Sequence, residues 1–192
     1  MTDLFTRAAT TALTGLAIFG FASAAFATPE ITAPPEGSLD AHAVLVHAVE
    51  SRGIDFVANH SYCQENPDIM GFYSFDEALL VVCNDNYSET NTNPQWTAND
   101  LDTLRHEAQH MIQDCVVGGL QDRRLRPVYG DPIGLAFHVL GAENMEGINK
   151  KYRGAGADTR TVILEWEAFA VAALNVPLEQ SQDIVRYCEP LQ

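Results

Sequence analysis

Two histidines separated by one helical turn are the residues of this sequence whose spacing most clearly supports chemistry. His106 and His110 enclose Glu107 in the pattern H-E-x-x-H. Residues four apart on an α-helix differ in direction by about 40°, so both imidazoles can bind one cation. Glu107 lies about 100° from His106, where its carboxylate can act on a metal-activated water without being a ligand. The pattern therefore predicts a zinc (Zn2+) site with Glu107 as the catalytic base.

A zinc ion that catalyses hydrolysis needs a third protein ligand and one open coordination position. No further histidine follows His110 at the spacing H-x-x-G-x-x-H. The stretch 163–170 instead supplies two acids, Glu165 and Glu167, within a strongly apolar helix. A carboxylate there is costly to bury unless a cation compensates it. Both acids are therefore candidates for the third ligand.

Together these two segments resemble the gluzincin metallopeptidases, in which H-E-x-x-H is followed by a helix that bears a ligand glutamate. Glu165-Trp166-Glu167-Ala168 is similar to the E-x-x-A pattern around that glutamate. The resemblance implies Glu165 as the third metal ligand, a zincin-like fold and zinc-dependent hydrolysis of peptide bonds. Glu167 stays the rival ligand because its own helix face is more apolar.

The sequence departs from the gluzincin pattern at one position. Many gluzincins have an aspartate four residues after the ligand glutamate, and here that residue is Phe169. The histidines must therefore find other acceptors to orient them. Four residues are candidates for the donor that would steady an oxyanion: Tyr129, His138, Tyr152 and Arg153.

The alternative function is a non-catalytic zinc-binding or structural secreted domain on a zincin-like scaffold.

The elements that would position these residues are mostly helices. Thr97 and Asp100 have the spacing of a capping box, and they open a helix that runs to Val117 and stops at Gly118-Gly119. The apolar residues of this helix lie opposite the histidines, which predicts one face for a core and one for a site: Leu101, Leu104, Ala108, Met111 and Cys115. Further helices are expected at 38–52, 132–140, 143–152, 158–174 and 178–188.

Strand signals occupy the first half of the sequence. Residues 54–57 are expected to form a short strand, and 70–73 with 78–83 an antiparallel hairpin. This order of elements predicts an α+β fold, zincin-like and mostly helical with a small antiparallel hairpin or sheet. An exposed hairpin edge beside the metal would hold an extended peptide through main-chain hydrogen bonds. Core packing is the more ordinary role of Phe72 and Tyr73 in such a hairpin.

The N-terminal residues have the features of an export signal. Arg7 precedes an uncharged apolar run of small residues, and an A-x-A cleavage site ends at Ala27. We expect a signal peptide at 1–27, a Pro-rich leader at 28–37 and a single domain at 38–192. The mature protein would then be periplasmic or secreted.

Export would place the four cysteines in an oxidising compartment, where two disulfides are expected. The favoured pairs are Cys63 with Cys83, which flank the hairpin, and Cys115 with Cys188, which tie a central helix to the C-terminus. A cysteine zinc site is not favoured because no C-x-x-C spacing occurs.

The charge balance limits the class of partner. With 26 acidic and 11 basic residues, the formal net charge is −15 at pH 7. Nucleic acids and anionic membrane surfaces are disfavoured, because both attract clustered lysine and arginine. No stable membrane anchor is expected, since the N-terminal run is rich in Ala, Thr and Gly and no basic cluster follows it. The expected partner is a peptide or protein substrate, and the sequence leaves the oligomeric state open.

Overall fold

The computed structural model describes residues 39–88, 90–92, 94–117, 120, 124–174 and 176–191. The predicted signal peptide, its cleavage near Ala27, the Pro-rich leader and the Gly118-Gly119 helix stop lie outside the described residues. The elements follow in the order 3-10 helix Leu39–His42, α1 Ala43–Glu50, β1 Asp55–Ala58, α2 Ser61–Glu65, β2 Gly71–Ser74, β3 Leu79–Val82, α3 Ala98–Cys115, α4 Pro132–Gly154, α5 Thr159–Leu174 and α6 Pro177–Tyr187. The described part is mostly helical with one small sheet, which confirms the α+β class.

The sheet has three strands in the order β1-β3-β2. β2 and β3 form the predicted antiparallel hairpin, in which Tyr73 pairs with Leu80. β1 lies parallel to β3 on the other side, so the sheet is mixed rather than antiparallel throughout. A parallel neighbour needs a connection that returns across the sheet. The chain between β1 and β2 contains the helix α2, which was not predicted, and leads from one edge strand of the sheet to the other.

The helix boundaries agree closely with the sequence signals. Thr97 caps α3: its hydroxyl accepts the Asp100 N–H, and the Asp100 carboxylate accepts the Thr97 N–H. Asp158 accepts the N–H of Thr161 and opens α5. α4 contains the two predicted helices, which meet at Gly141, where the backbone is non-helical with φ of 75°.

α3 lies at the centre of the described fold. Its apolar residues join the largest core cluster, together with residues of α1, the sheet and α6. The opposite, histidine-bearing side packs against α5, which also packs on α4. The predicted core face is therefore present, and the side predicted to carry a site is the side that contacts α5, the helix of Glu165.

Two disulfides are present, with the predicted pairing. Cys63 in α2 bonds to Cys83, which follows β3. Cys115 at the end of α3 bonds to Cys188, which follows α6. These bonds indicate an oxidising or extracellular environment. Within the described ranges, no helix has the length and apolar character needed to cross a membrane.

Gly71 lies where β2 approaches both the hairpin partner and α3. A Cβ atom on Gly71 would lie 2.5 Å from the Val81 carbonyl oxygen and 2.7 Å from Thr103 Cγ2. One contact is on β3 and the other on α3, so the lack of a side chain permits both approaches. This contact sets the distance between the strand and the site helix.

Gly71→Ala should lower the free energy of unfolding by about 1–3 kcal/mol, because β2 must move away from its neighbours. Gly154→Ala is the matched control, since a Cβ there meets nothing within 4 Å, and it should stay within about 0.5 kcal/mol of wild type. Urea denaturation followed by circular dichroism measures both values. Equal stability of Gly71→Ala and wild type would contradict the close approach.

Candidate metal centre

Three side chains from α3 and α5 converge on one point. His106 and His110 lie on α3 with their Nε2 atoms 3.1 Å apart. Oε2 of Glu165, on α5, lies 3.2 Å from the first of these nitrogens and 3.5 Å from the second. These residues form a group that could hold a metal ion.

The geometry of this triangle fits a tetrahedral ion. Zinc bonds of about 2.0–2.1 Å at tetrahedral angles place neighbouring ligand atoms about 3.3–3.4 Å apart. The three distances of 3.1, 3.2 and 3.5 Å lie close to this value. Glu165 Oε2 is buried and has no hydrogen-bond partner. The donor set and its spacing are therefore those of a site with three protein ligands.

The relative placement of α3 and α5 is fixed at both ends of the site. Arg105 Nε donates to the Ala172 carbonyl at 2.9 Å. Gln113 Nε2 donates to the Leu164 carbonyl, also at 2.9 Å. Since the earlier residue of α3 meets the later residue of α5, the helices run antiparallel. The two contacts lie about two turns apart on each helix, and the triangle lies between them.

Burial and charge together set the protonation of the triangle without a metal. Burial lowers the pKa of His110, but the adjacent Glu165 carboxylate raises it by more, to about 9. Burial raises the pKa of Glu165, but the two histidines outweigh this effect and hold it at about 2. Without a metal, a proton on His110 therefore supplies the positive charge beside Glu165 that a metal cation would otherwise supply.

Glu107 lies beside the triangle and is itself buried, with 3% of its surface exposed. Burial raises its pKa, although the two histidines and a hydrogen bond from the Tyr73 backbone N–H lower it in part. Its Oε2 atom has no hydrogen-bond partner. The carboxylate is thus held on one side by β2 and retains one free acceptor.

The hydrogen bond between the Tyr73 backbone and Glu107 also bears on the role of the hairpin edge. All four residues of β2 are buried, and the outward N–H of Tyr73 bonds to Glu107. The Tyr73 hydroxyl donates to Asp114 Oδ2 at 2.9 Å. β2 is therefore packed along α3, and the Tyr73 N–H does not offer an exposed edge to an extended peptide. The alternative role of Phe72 and Tyr73 as core residues is confirmed.

Glu167 has a different environment from Glu165. Its carboxylate accepts hydrogen bonds from Gln113 Nε2 at 2.8 Å and from the backbone N–H groups of Val128 and Tyr129. Gln113 Oε1 in turn lies 2.8 Å from Nδ1 of His110. The structure therefore brings Glu165 to the histidines and places Glu167 two hydrogen bonds from His110, behind Gln113.

His106 lacks a comparable polar support. The ring of Phe169 packs on it with centroids 4.3 Å apart. Its Nδ1 atom is buried without a hydrogen-bond partner. Phe169 therefore contacts His106 through an apolar ring, which offers no hydrogen-bond acceptor to Nδ1.

Of the four candidate oxyanion donors, only Tyr152 reaches the triangle. It is buried, and its hydroxyl hydrogen-bonds to Glu165, which together with burial raises the pKa of the phenol. His138, Arg153 and Tyr129 are exposed, and the Tyr129 backbone contacts Glu167 instead. Tyr152 therefore supports the candidate ligand in this structure.

Sequence reasoning did not select Gln113 or Arg105. Gln113 stands one helical turn after His110, at the spacing from which a side chain reaches its neighbour. Arg105 is buried, and its Nη1 atom lies 2.7 Å from Nε2 of His42. A charged residue inside an otherwise buried helix is the signal that could have identified Arg105 as an anchor.

Comparison with known proteins gives a partial family match. Residues 38–128 match a family described as a domain of unknown function (DUF8637). This range contains both histidines and Glu107, and it ends before Glu165. No curated protein and no solved structure matches the chain.

Metal-stripped protein should rebind about one zinc ion per chain, because the three ligand atoms are already positioned. Glu165→Gln should abolish this binding, whereas Glu167→Gln should retain it with reduced affinity. Equilibrium dialysis with elemental analysis measures the stoichiometry of all three proteins. Retention by Glu165→Gln together with loss by Glu167→Gln would identify Glu167 as the ligand instead.

The metal-free protein should lose stability as the pH rises from about 6.5 to about 9. The folded pKa of His110 is about 9 against an ordinary 6.5, so the folded state keeps a proton that the unfolded chain releases. This stabilisation is complete below pH 6.5 and is lost through pH 9. Glu165→Gln removes the charge that raises this pKa, so its stability should stay nearly flat over that range.

Denaturant unfolding in chelator, repeated across this pH range, measures both slopes. The wild type should also lose stability at acid pH, because Glu165 has a folded pKa of about 2 against an ordinary 4.5. This loss occurs as the pH falls from about 4.5 towards 2. Identical alkaline slopes for the wild type and Glu165→Gln would contradict the coupling.

Proposed function

We propose that this protein is an exported zinc-dependent metallopeptidase with a gluzincin-like site. The observation that carries the proposal is the convergence of His106, His110 and Glu165 at tetrahedral spacing, with Glu107 beside them. The sequence pattern H-E-x-x-H and the following E-x-x-A support the same reading. On this proposal His106, His110 and Glu165 hold the zinc, and the fold is of the zincin type.

Glu107 is the residue that would move protons in the reaction. When bound, zinc supplies a Lewis acid that polarises a carbonyl and makes water more acidic. Glu107 would accept the proton of the attacking water at Oε2, the atom without a partner, and pass it to the leaving amine. Its pKa, raised by burial, suits this exchange better than that of a solvated carboxylate.

The surroundings of the site support a substrate outside the cytoplasm. Two disulfides indicate an oxidising compartment, and the N-terminal sequence supports export with cleavage near Ala27. A net charge of −15 disfavours nucleic acid. We therefore propose peptides or proteins as substrates, acted on in the periplasm or after secretion.

A second function, metal binding without turnover, is favoured by one observation. The four central side chains of the site are buried, and the strand edge that would hold a peptide contacts Glu107 instead. A closed zinc site of this kind would stabilise the fold as a structural ion does. Cleavage of an unfolded protein by zinc-loaded material separates the two functions.

Glu107→Gln should keep zinc and lower the rate of peptide hydrolysis by about 10²–10⁴-fold, because an amide cannot accept the proton. Glu50→Gln, which changes an exposed glutamate of α1, is the matched control and should keep wild-type activity. Cleavage of casein and elemental analysis give the two readouts. Full activity in Glu107→Gln would contradict the mechanism, and a zinc-loaded wild type without cleavage would favour the second function.

A further inference from the structure

We propose that Gln113 and Glu167 are positioning residues for His110, holding its ring so that Nε2 faces the metal site as an unprotonated ligand. This inference rests on the proposed zinc site, and it concerns two residues outside the metal-binding triangle. Gln113 is fully buried, with no exposed surface, and it lies on α3 one turn after His110. Its side chain joins the triangle to the α5 helix.

The orientation of the Gln113 amide follows from its partners. Its nitrogen lies 2.9 Å from the Leu164 carbonyl oxygen and 2.8 Å from Glu167 Oε2. A carbonyl oxygen only accepts hydrogen bonds, so the atom that faces the Leu164 carbonyl must be the NH2 group. The opposite orientation would place two acceptors against one another. The amide oxygen therefore points to His110.

This orientation fixes the tautomer of His110. Gln113 Oε1 lies 2.8 Å from His110 Nδ1, and an amide oxygen can only accept, so Nδ1 carries the hydrogen. In a neutral ring the other nitrogen then has the free electron pair. That nitrogen, Nε2, is the atom 3.5 Å from Glu165 Oε2. The amide thus selects the tautomer that can bind a metal.

Glu167 holds the amide in place from behind. Its carboxylate also accepts the N–H groups of Val128 and Tyr129. The preceding segment is attached as well, because the Arg126 N–H donates to the Gln113 carbonyl at 2.8 Å. The return segment 126–129 is therefore connected to His110 through two side chains. This role explains why an acid lies two residues after the candidate ligand.

The two histidines differ in this support. Nδ1 of His106 has no hydrogen-bond partner and its ring packs on Phe169. His110 alone of the pair is oriented by a polar chain in the described residues. Disruption of that chain should therefore weaken metal binding through one ligand and leave the other two in place.

Gln113→Met tests the proposal, because methionine keeps the length of the side chain and lacks both amide functions. Glu167→Gln is a second variant, in which an NH2 group that cannot accept replaces one carboxylate oxygen, so at least one of the present donors loses its acceptor. Gln180→Met is the matched control: Gln180 is also buried, and it donates to the Arg105 carbonyl on the same helix. Thermal unfolding of the metal-free proteins reports whether each variant is folded.

Two measurements decide the outcome. Nitrogen-15 NMR of metal-free protein should show a slowly exchanging His110 Nδ1–H in wild type and Gln180→Met, and its loss in Gln113→Met. Competition with a chelator should show about 10–100-fold weaker zinc binding in Gln113→Met and a smaller loss in Glu167→Gln. Gln180→Met should bind zinc as wild type does.

Wild-type zinc affinity in a folded Gln113→Met would overturn the positioning role, as would an unchanged His110 ring resonance. If Gln113→Met does not fold, wild-type affinity in Glu167→Gln overturns it instead. A wild type that binds no zinc contradicts the proposed function, and the NMR result alone then supports or overturns the orientation of His110. The two failures are therefore distinguishable.

Discussion

The buried carboxylate of Glu165 is the constraint on which the site depends. It is 1% exposed on an apolar helix, where an ionised carboxylate without a positive partner is strongly destabilised. The compensating charge comes from α3 as a proton on His110, and a metal ion held by Glu165 with both histidines would supply it instead. Packing of α5 against α3 is therefore favoured by a positive charge beside Glu165.

This charge balance requires accurate placement, which helices provide better than loops. Arg105 and Gln113 each donate to a backbone carbonyl of α5, so the two helices are joined on both sides of the triangle. The disulfide from Cys115 to Cys188 then fixes the C-terminal end of α3 to the residue after α6. The site is consequently built into the centre of the domain, and a change in the crossing of α3 and α5 would separate its ligands.

Most secondary-structure features that were predicted correctly from sequence have local causes. The capping box at Thr97, the break at Gly141 between two helices and the hairpin each follow from residues a few positions apart. The features that were missed depend on distant partners: the parallel pairing of β1 and the hydrogen-bonded chain from His110 through Gln113 to Glu167. Periodicity shows that a face is apolar, but it does not show which element covers it.

Glu107 is the residue that separates the two candidate functions on physical grounds. A buried carboxylate with one unpartnered oxygen costs stability, and a purely structural metal site gains nothing from it, because three other side chains supply the ligands. A neutral or apolar residue at this position would stabilise such a site more. A base with a raised pKa and a free acceptor is, by contrast, what hydrolysis at the adjacent metal requires. Glu107 therefore costs the fold some stability, and the same carboxylate favours the peptidase over the structural site.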